Sequence, residues 1–236
     1  MTNYILKTTI INPISKNKPR QIIVLCHGYG GDSKDISVLA INWQRFLPDT
    51  IFLSPDAPQV CSVNPKGYQW FDLSNDKEEV IFEKSLEAEQ KLSTFLDQVY
   101  DNLQLEPKNL ALVGFSQGSM MSIQVGLKSK KNINCVIGYS GKIINQSHLS
   151  DNINSKPNFF LMHGENDNIV SPNHLLEAKE FLKKHEVNVK TKMFKNCEHR
   201  IPVEGSSLGL EFLKKTVLYL KHFFKKLFLA KLILIR

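Results

Sequence analysis

The sequence predicts an α/β chain: a mostly parallel sheet with helices on both faces. Three observations carry this. Seven short runs rich in apolar and β-branched residues punctuate the chain, each bounded by Gly, Pro or Asn. Longer segments with helical spacing lie between most of them. Most of the runs are uniformly apolar, which suits strands buried on both faces.

In chain order, "YILKTTII" at 4–11 opens the series, and "QIIVLCH" at 21–27 follows closely. The first of these reads as an antiparallel edge strand. A helical pattern at 34–46 leads to the strand "TIFLSP" at 50–55. A long segment, 57–83, mixes Pro58, Pro65, Gly67 and aromatics, and reads as a loop or flap. Helical spacing over 77–103 then precedes "NLALVGF" at 109–115. A small-residue helix is predicted at 117–130, then strands "NCVIGYS" at 134–140 and "NFFLMHG" at 158–164. A helix at 173–185, the strand "VKTKMF" at 189–194 and a last helix at 206–224 complete the alternation.

Bulk properties bound the class. At 236 residues, with 42% hydrophobic and 22% charged content, the chain suits one globular domain. That domain is expected over 1–228, with 229–236 as a C-terminal appendage. The four cysteines, Cys26, Cys61, Cys135 and Cys197, form no CxxC pair, so neither a zinc site nor a disulfide framework is expected. The N-terminal "MTNYILKTTIINP" lacks the charged region and apolar core of a secretory signal, so a cytoplasmic protein is expected. The net charge of +7 is local: residues 214–236 hold seven basic side chains and no acid, so 1–213 is neutral. A broad basic face for nucleic acid is therefore not expected.

In open parallel sheets, ligands bind beyond the carboxyl ends of the strands. Chemistry-bearing residues should therefore follow the apolar runs. Ser116 does, within Gly114-Phe-Ser-Gln-Gly118, a G-x-S-x-G pattern at a strand-to-helix turn. Alone it reads equally as a nucleophile or as a capping serine in a glycine turn. A serine hydroxyl needs a base, and an imidazole suits neutral pH. Of the seven histidines, His199 stands on a loop after a late strand, in "KNCEHRIP". His27 and His163 precede glycines at strand ends and read as loop-shaping. "NFFLMHGENDNIV" offers two acids to orient the base, Glu165 and Asp167. An oxyanion needs backbone donors: the N–H after the nucleophile, Gln117, and one from "VLCHGYGGD", for which Tyr29 is the candidate. That glycine loop lacks the G-x-G-x-x-G and Lys-Ser/Thr features of phosphate cradles.

With these motifs in hand, the sequence resembles the phospholipase/carboxylesterase family of α/β-hydrolases. "LCHGYGGD", "DAPQV…GYQWFDL", "LVGFSQGSMMS", "FFLMHGENDNIV" and "CEHRIP" carry the likeness, in family order, from about residue 20 to about 220. The resemblance implies Ser116, Asp167 and His199 as the triad and the amides of Tyr29 and Gln117 as oxyanion donors. It implies hydrolysis of small or lipid-like acyl esters or thioesters, without cofactor or metal. Two positions depart from the family: Tyr29 stands where Leu is usual, and Glu198 where Gly precedes the histidine. Glu198 either raises the basicity of His199 or points to solvent. Trp70 and Phe71 either line the acyl path or anchor the 57–83 segment.

Lysophospholipase or peptidase chemistry on the same fold, or binding without catalysis, are the alternatives. The tail from Lys214 sets an apolar stripe through Val217, Leu220, Phe224 and Phe228 against lysines, and breaks near 228. It is too short between charges to span a bilayer, leaving weak membrane-surface contact or a stray tail.

Overall fold

A computed structural model describes residues 4–74 and 77–216 of the protein. Its centre is a seven-stranded sheet. In chain order the large-sheet strands are β1 (Thr8–Ile11), β2 (Gln21–Cys26), β3 (Thr50–Pro55), β6 (Leu110–Phe115), β7 (Cys135–Tyr139), β8 (Asn158–Gly164) and β9 (Val189–Phe194). A separate two-stranded hairpin comprises β4 (Gln59–Val60) and β5 (Tyr68–Gln69). Helices are α1 (Ser33–Trp43), α2 (Glu78–Leu103), α3 (Gln117–Lys128), α4 (Gln146–Ser150) and α5 (Asn173–Lys184), and a last helix, α6, is described over 203–216. The strand order is β1-β3-β2-β6-β7-β8-β9, with β1 antiparallel to β3 and every other pair parallel.

The apolar runs are explained by two-sided burial. Side chains alternate across a strand, so each run feeds two cores. Ile22, Val24 and Cys26 of β2 and Leu110 and Leu112 of β6 enter one core with α2, α3 and α5. Ile23 and Leu25, Ala111 and Val113 enter the other, with Ile36, Leu39, Ala40 and Trp43 of α1 and Leu213 of α6. Helix α1 starts cleanly because the Asp32 side chain accepts the N–H groups of Lys34 and Asp35, while Asp35 reaches back to the Asp32 N–H.

Several elements differ from the sequence-based expectation. The first strand is confined to 8–11, because the residues before it turn onto α2: the Tyr4 ring packs edge-on against Phe95 at 5.2 Å, and Ile5 N–H donates to Gln98 Oε1 at 2.7 Å. The 57–83 segment contains the β4–β5 hairpin, too short to show a period. The five-residue α4 is an addition. The predicted continuation of the last helix to 224, the boundary at 228 and the 229–236 appendage with its membrane contact lie outside the described residues. No helix among the described residues is long and apolar enough to cross a membrane.

Candidate active site

Ser116 sits in the single-residue turn between β6 and α3, with φ 53° and ψ −119°. A non-glycine residue with positive φ is strained, and such strain persists only where the surroundings impose it. Here the imposing contacts are visible. The Ser116 N–H donates to Tyr139 O at 2.9 Å, just beyond the β6–β7 ladder. A Cβ on Gly114 would meet Gly118 O at 2.2 Å, and one on Gly118 would meet Cys26 O at 2.1 Å. The two glycines of G-x-S-x-G therefore let α3 start directly against the end of β2.

His199 is brought to Ser116 by the loop after β9. Its Nε2 accepts the Ser116 hydroxyl at 3.0 Å, and its Nδ1–H donates to Asp167 Oδ2 at 2.8 Å. The carboxylate fixes the imidazole tautomer, leaving Nε2 unprotonated and facing the hydroxyl. The Phe115 ring packs against that of His199, centroids 4.9 Å apart. Glu198 is exposed, and its bonded group is the carbonyl, which accepts Arg200 N–H at 2.8 Å.

Asp167 lies on the loop after β8, and that loop closes around it. Its Oδ1 accepts the N–H groups of Ile169 and Val170 at 3.0 and 2.9 Å. Burial raises the carboxyl pKa, but the Val170 and Ile169 donors and His199 outweigh it, so Asp167 is held below the usual carboxylate value. Glu165, the other acid of the loop, is exposed and faces the Asn196 N–H at 3.4 Å. The acid and histidine loops are joined by main-chain bonds, Glu165 N–H to Phe194 O at 2.9 Å and Asn166 N–H to Cys197 O at 2.9 Å.

The two expected loop-shaping histidines do shape loops. His27 Nδ1–H donates to Gly28 O at 2.7 Å, and its Nε2 accepts Ala57 N–H at 2.9 Å. His163 Nε2–H donates to Val170 O at 2.8 Å and lies 3.2 Å from Asp167 Oδ2. Burial lowers the pKa of both rings and outweighs their partners, which favours neutral imidazoles.

Tyr29 lies on the glycine loop after β2, which the hairpin clamps. Gly30 N–H donates to Tyr68 O at 2.9 Å, Tyr68 N–H to Gly31 O at 2.8 Å, and the Tyr29 hydroxyl meets Ser62 Oγ at 2.7 Å. Gln117 opens α3, so helix geometry leaves its N–H without an i−4 carbonyl. Its side chain does something the sequence did not announce. Oε1 accepts Trp70 N–H at 2.9 Å and Nε2 donates to Phe71 O at 2.6 Å. Trp70 and Phe71 therefore do not line an open groove. Both are 0% exposed, and the Trp70 indole N–H donates to His27 O at 3.0 Å. Of the two roles open to them, they anchor the segment.

A mostly parallel sheet with a serine elbow after β6, an acid loop after β8 and a histidine loop after β9 defines an α/β-hydrolase. The chain belongs to the phospholipase/carboxylesterase family, whose model matches residues 7–217. It is 28% identical over 215 residues to acyl-protein thioesterase 1 of Aspergillus fumigatus, covering 83% of this chain and 87% of that protein. It is 25% identical over 215 residues to the esterase YpfH of Escherichia coli, covering 89% and 88%. The crystal structure of esterase PE8 superposes with a TM-score of 0.86 at 32% identity, covering 89% of this chain and 99% of that one.

Proposed function

We propose that the protein is a serine hydrolase that cleaves carboxylic esters or thioesters through an acyl-enzyme, with Ser116 as nucleophile, His199 as base and Asp167 as the acid that orients it. The observation that carries this reading is the hydrogen-bonded chain from Ser116 Oγ through His199 to Asp167, at 3.0 and 2.8 Å. His199 Nε2 takes the hydroxyl proton as Oγ attacks the acyl carbon. The amides of Tyr29 and Gln117 bind the oxyanion. The imidazolium then gives its proton to the departing oxygen or sulfur, leaving the acyl group on Ser116. A water deprotonated by His199 attacks that ester, and the acid product leaves with Ser116 reprotonated. Relatives named as an esterase and as an acyl-protein thioesterase support small or lipid-like acyl substrates. The four cysteines, all unpaired, support a reducing, cytoplasmic setting.

The test is activity-based. A fluorophosphonate probe labels the wild-type protein, and Ser116→Ala abolishes both labelling and hydrolysis of short p-nitrophenyl esters. Labelling that survives the substitution would show that another residue is the nucleophile.

A further inference from the structure

One cleft of about 320 Å³ has the His199 ring in its wall. Gly28 and Tyr29 of the glycine loop, Asp35 and Ile36 of α1, Phe115, and Arg200 and Ile201 of the histidine loop also line it. Gly28 in its wall lies beside the serine: a Cβ there would sit 3.3 Å from Ser116 Cβ. Its volume is at the small end of the range of about 300–1,000 Å³ for ligand sites, so it suits one half of a substrate.

Proton transfer decides which half. On the reading above, the imidazolium protonates the departing atom, which must therefore lie within hydrogen-bond reach of His199 Nε2. Whatever is bonded to that atom extends into the space that borders the His199 ring. That space is this cleft, which has the His199 ring in its wall.

The charges of the cleft are unequal in what they already bind. Asp35 Oδ2 accepts the Asp32 N–H at 3.2 Å, and Asp32 accepts two N–H groups of the first turn, so both acids face the positive end of α1. Arg200 is exposed and makes no ion pair among the described residues. Its backbone is fixed by the bond to Glu198 O, one residue from His199. Among the described residues, Arg200 is thus the charged side chain of the cleft that no other group holds, and a guanidinium favours anions.

We propose that this cleft is the leaving-group subsite and that Arg200 makes it select acyl esters and thioesters whose leaving group carries an anionic charge. The inference rests on the serine hydrolase reading and adds to it the side from which the leaving group departs and the charge it bears.

The experiment compares kcat/KM for two esters that share an acyl group, 3-(butanoyloxy)benzoate and 3-(butanoyloxy)benzamide, in the full-length protein at low ionic strength. Dividing one value by the other cancels any general loss that a substitution causes. Arg200→Gln lowers the benzoate-to-benzamide ratio about three- to fivefold, the worth of a solvent-exposed ion pair. Arg200→Glu lowers it further, Arg200→Lys restores most of it, and added salt shrinks all three differences. A ratio unchanged among wild type, Arg200→Gln and Arg200→Glu overturns the subsite. A wild-type protein that hydrolyses neither ester, or hydrolysis that survives Ser116→Ala, overturns the hydrolase reading itself and the subsite with it.

Discussion

Gln117 holds Phe71 through a buried hydrogen bond, Nε2–H to the Phe71 carbonyl at 2.6 Å, and holds Trp70 through its other amide atom at 2.9 Å. One side chain thus pairs both the donor and the acceptor of a segment 46 and 47 residues away. Gln117→Ala leaves two buried backbone groups without partners. At about 1–3 kcal/mol each, the variant should lose about 2–6 kcal/mol of unfolding free energy, read from urea denaturation. A loss below 0.5 kcal/mol would mean that water replaces the amide at no cost.

Ser116 allows strain and chemistry to be separated. At φ 53° and ψ −119° any Cβ is strained, and glycine is not. Both Ser116→Ala and Ser116→Gly should lose about 10⁴-fold or more in esterase activity. The glycine variant should nevertheless be more stable than the alanine variant by about 1 kcal/mol, since relief of about 1–3 kcal/mol of strain exceeds glycine's added unfolded-state entropy. Thermal midpoints of the two variants, side by side, check this.

Gly164 sets how closely the histidine loop approaches. A Cβ there would stand 2.3 Å from Cys197 O and 2.5 Å from Glu198 O, and both are backbone atoms. Gly164→Ala must push the loop outward and carry His199 with it. A displacement of about 1 Å costs about 10²-fold in rate, so kcat/KM on a p-nitrophenyl ester should fall by about that factor while the fold survives. Unchanged kinetics would show that the loop yields without moving the ring.

Acid should weaken the protein in two stages. His27 and His163 have pKa values lowered from 6.5 by burial, so below about pH 6.5 the unfolded chain takes up protons that the folded chain resists. Unfolding therefore gains on folding as pH falls, by up to about 1.4 kcal/mol per pH unit per group. Asp167 is depressed, so its contribution is complete above the ordinary carboxylate value of 3.8 and is lost as pH falls through its lower folded value. Thermal midpoints measured from pH 7.5 to 3.5 should decline from about pH 6.5 downward. In His27→Gln the first decline should be shallower, whatever the absolute stability of the variant.

The sheet was legible because its strands are buried on both faces. An unbroken run such as "QIIVLC" is what that environment demands, and alternate residues of it do enter opposite cores. The hairpin was not legible. Two-residue strands show no periodicity, and the bonds of Tyr68 to the glycine loop are main chain to main chain. The positions of Ser116, Asp167 and His199 could be read from order along the chain, because each follows its own strand. The Gln117 clasp could not be read, since its partners are backbone atoms whose identity no residue type reveals. Trp70 and Phe71 show the converse limit: an aromatic pair signals that apolar surface is needed, and not whether it faces a groove or the core. The last helix, expected from 206, already begins at 203, where the Pro202 carbonyl accepts the Ser206 N–H at 3.0 Å, a start that apolar spacing does not register.

The hydrogen-bonded ladder does not stop where the strands do. Ser116 N–H reaches Tyr139 O, Ser140 N–H reaches Met162 O, and Glu165 N–H reaches Phe194 O, one rung after another across β6, β7, β8 and β9. The serine elbow and the acid and histidine loops are thus framed by the sheet itself, and their amides should exchange with solvent deuterium about as slowly as its centre. The hairpin segment between β3 and α2 stands outside this frame and is tied to it by the Gln117 side chain. The chemistry thus rests on a stiff anvil, forged from the same rungs that hold the strands together.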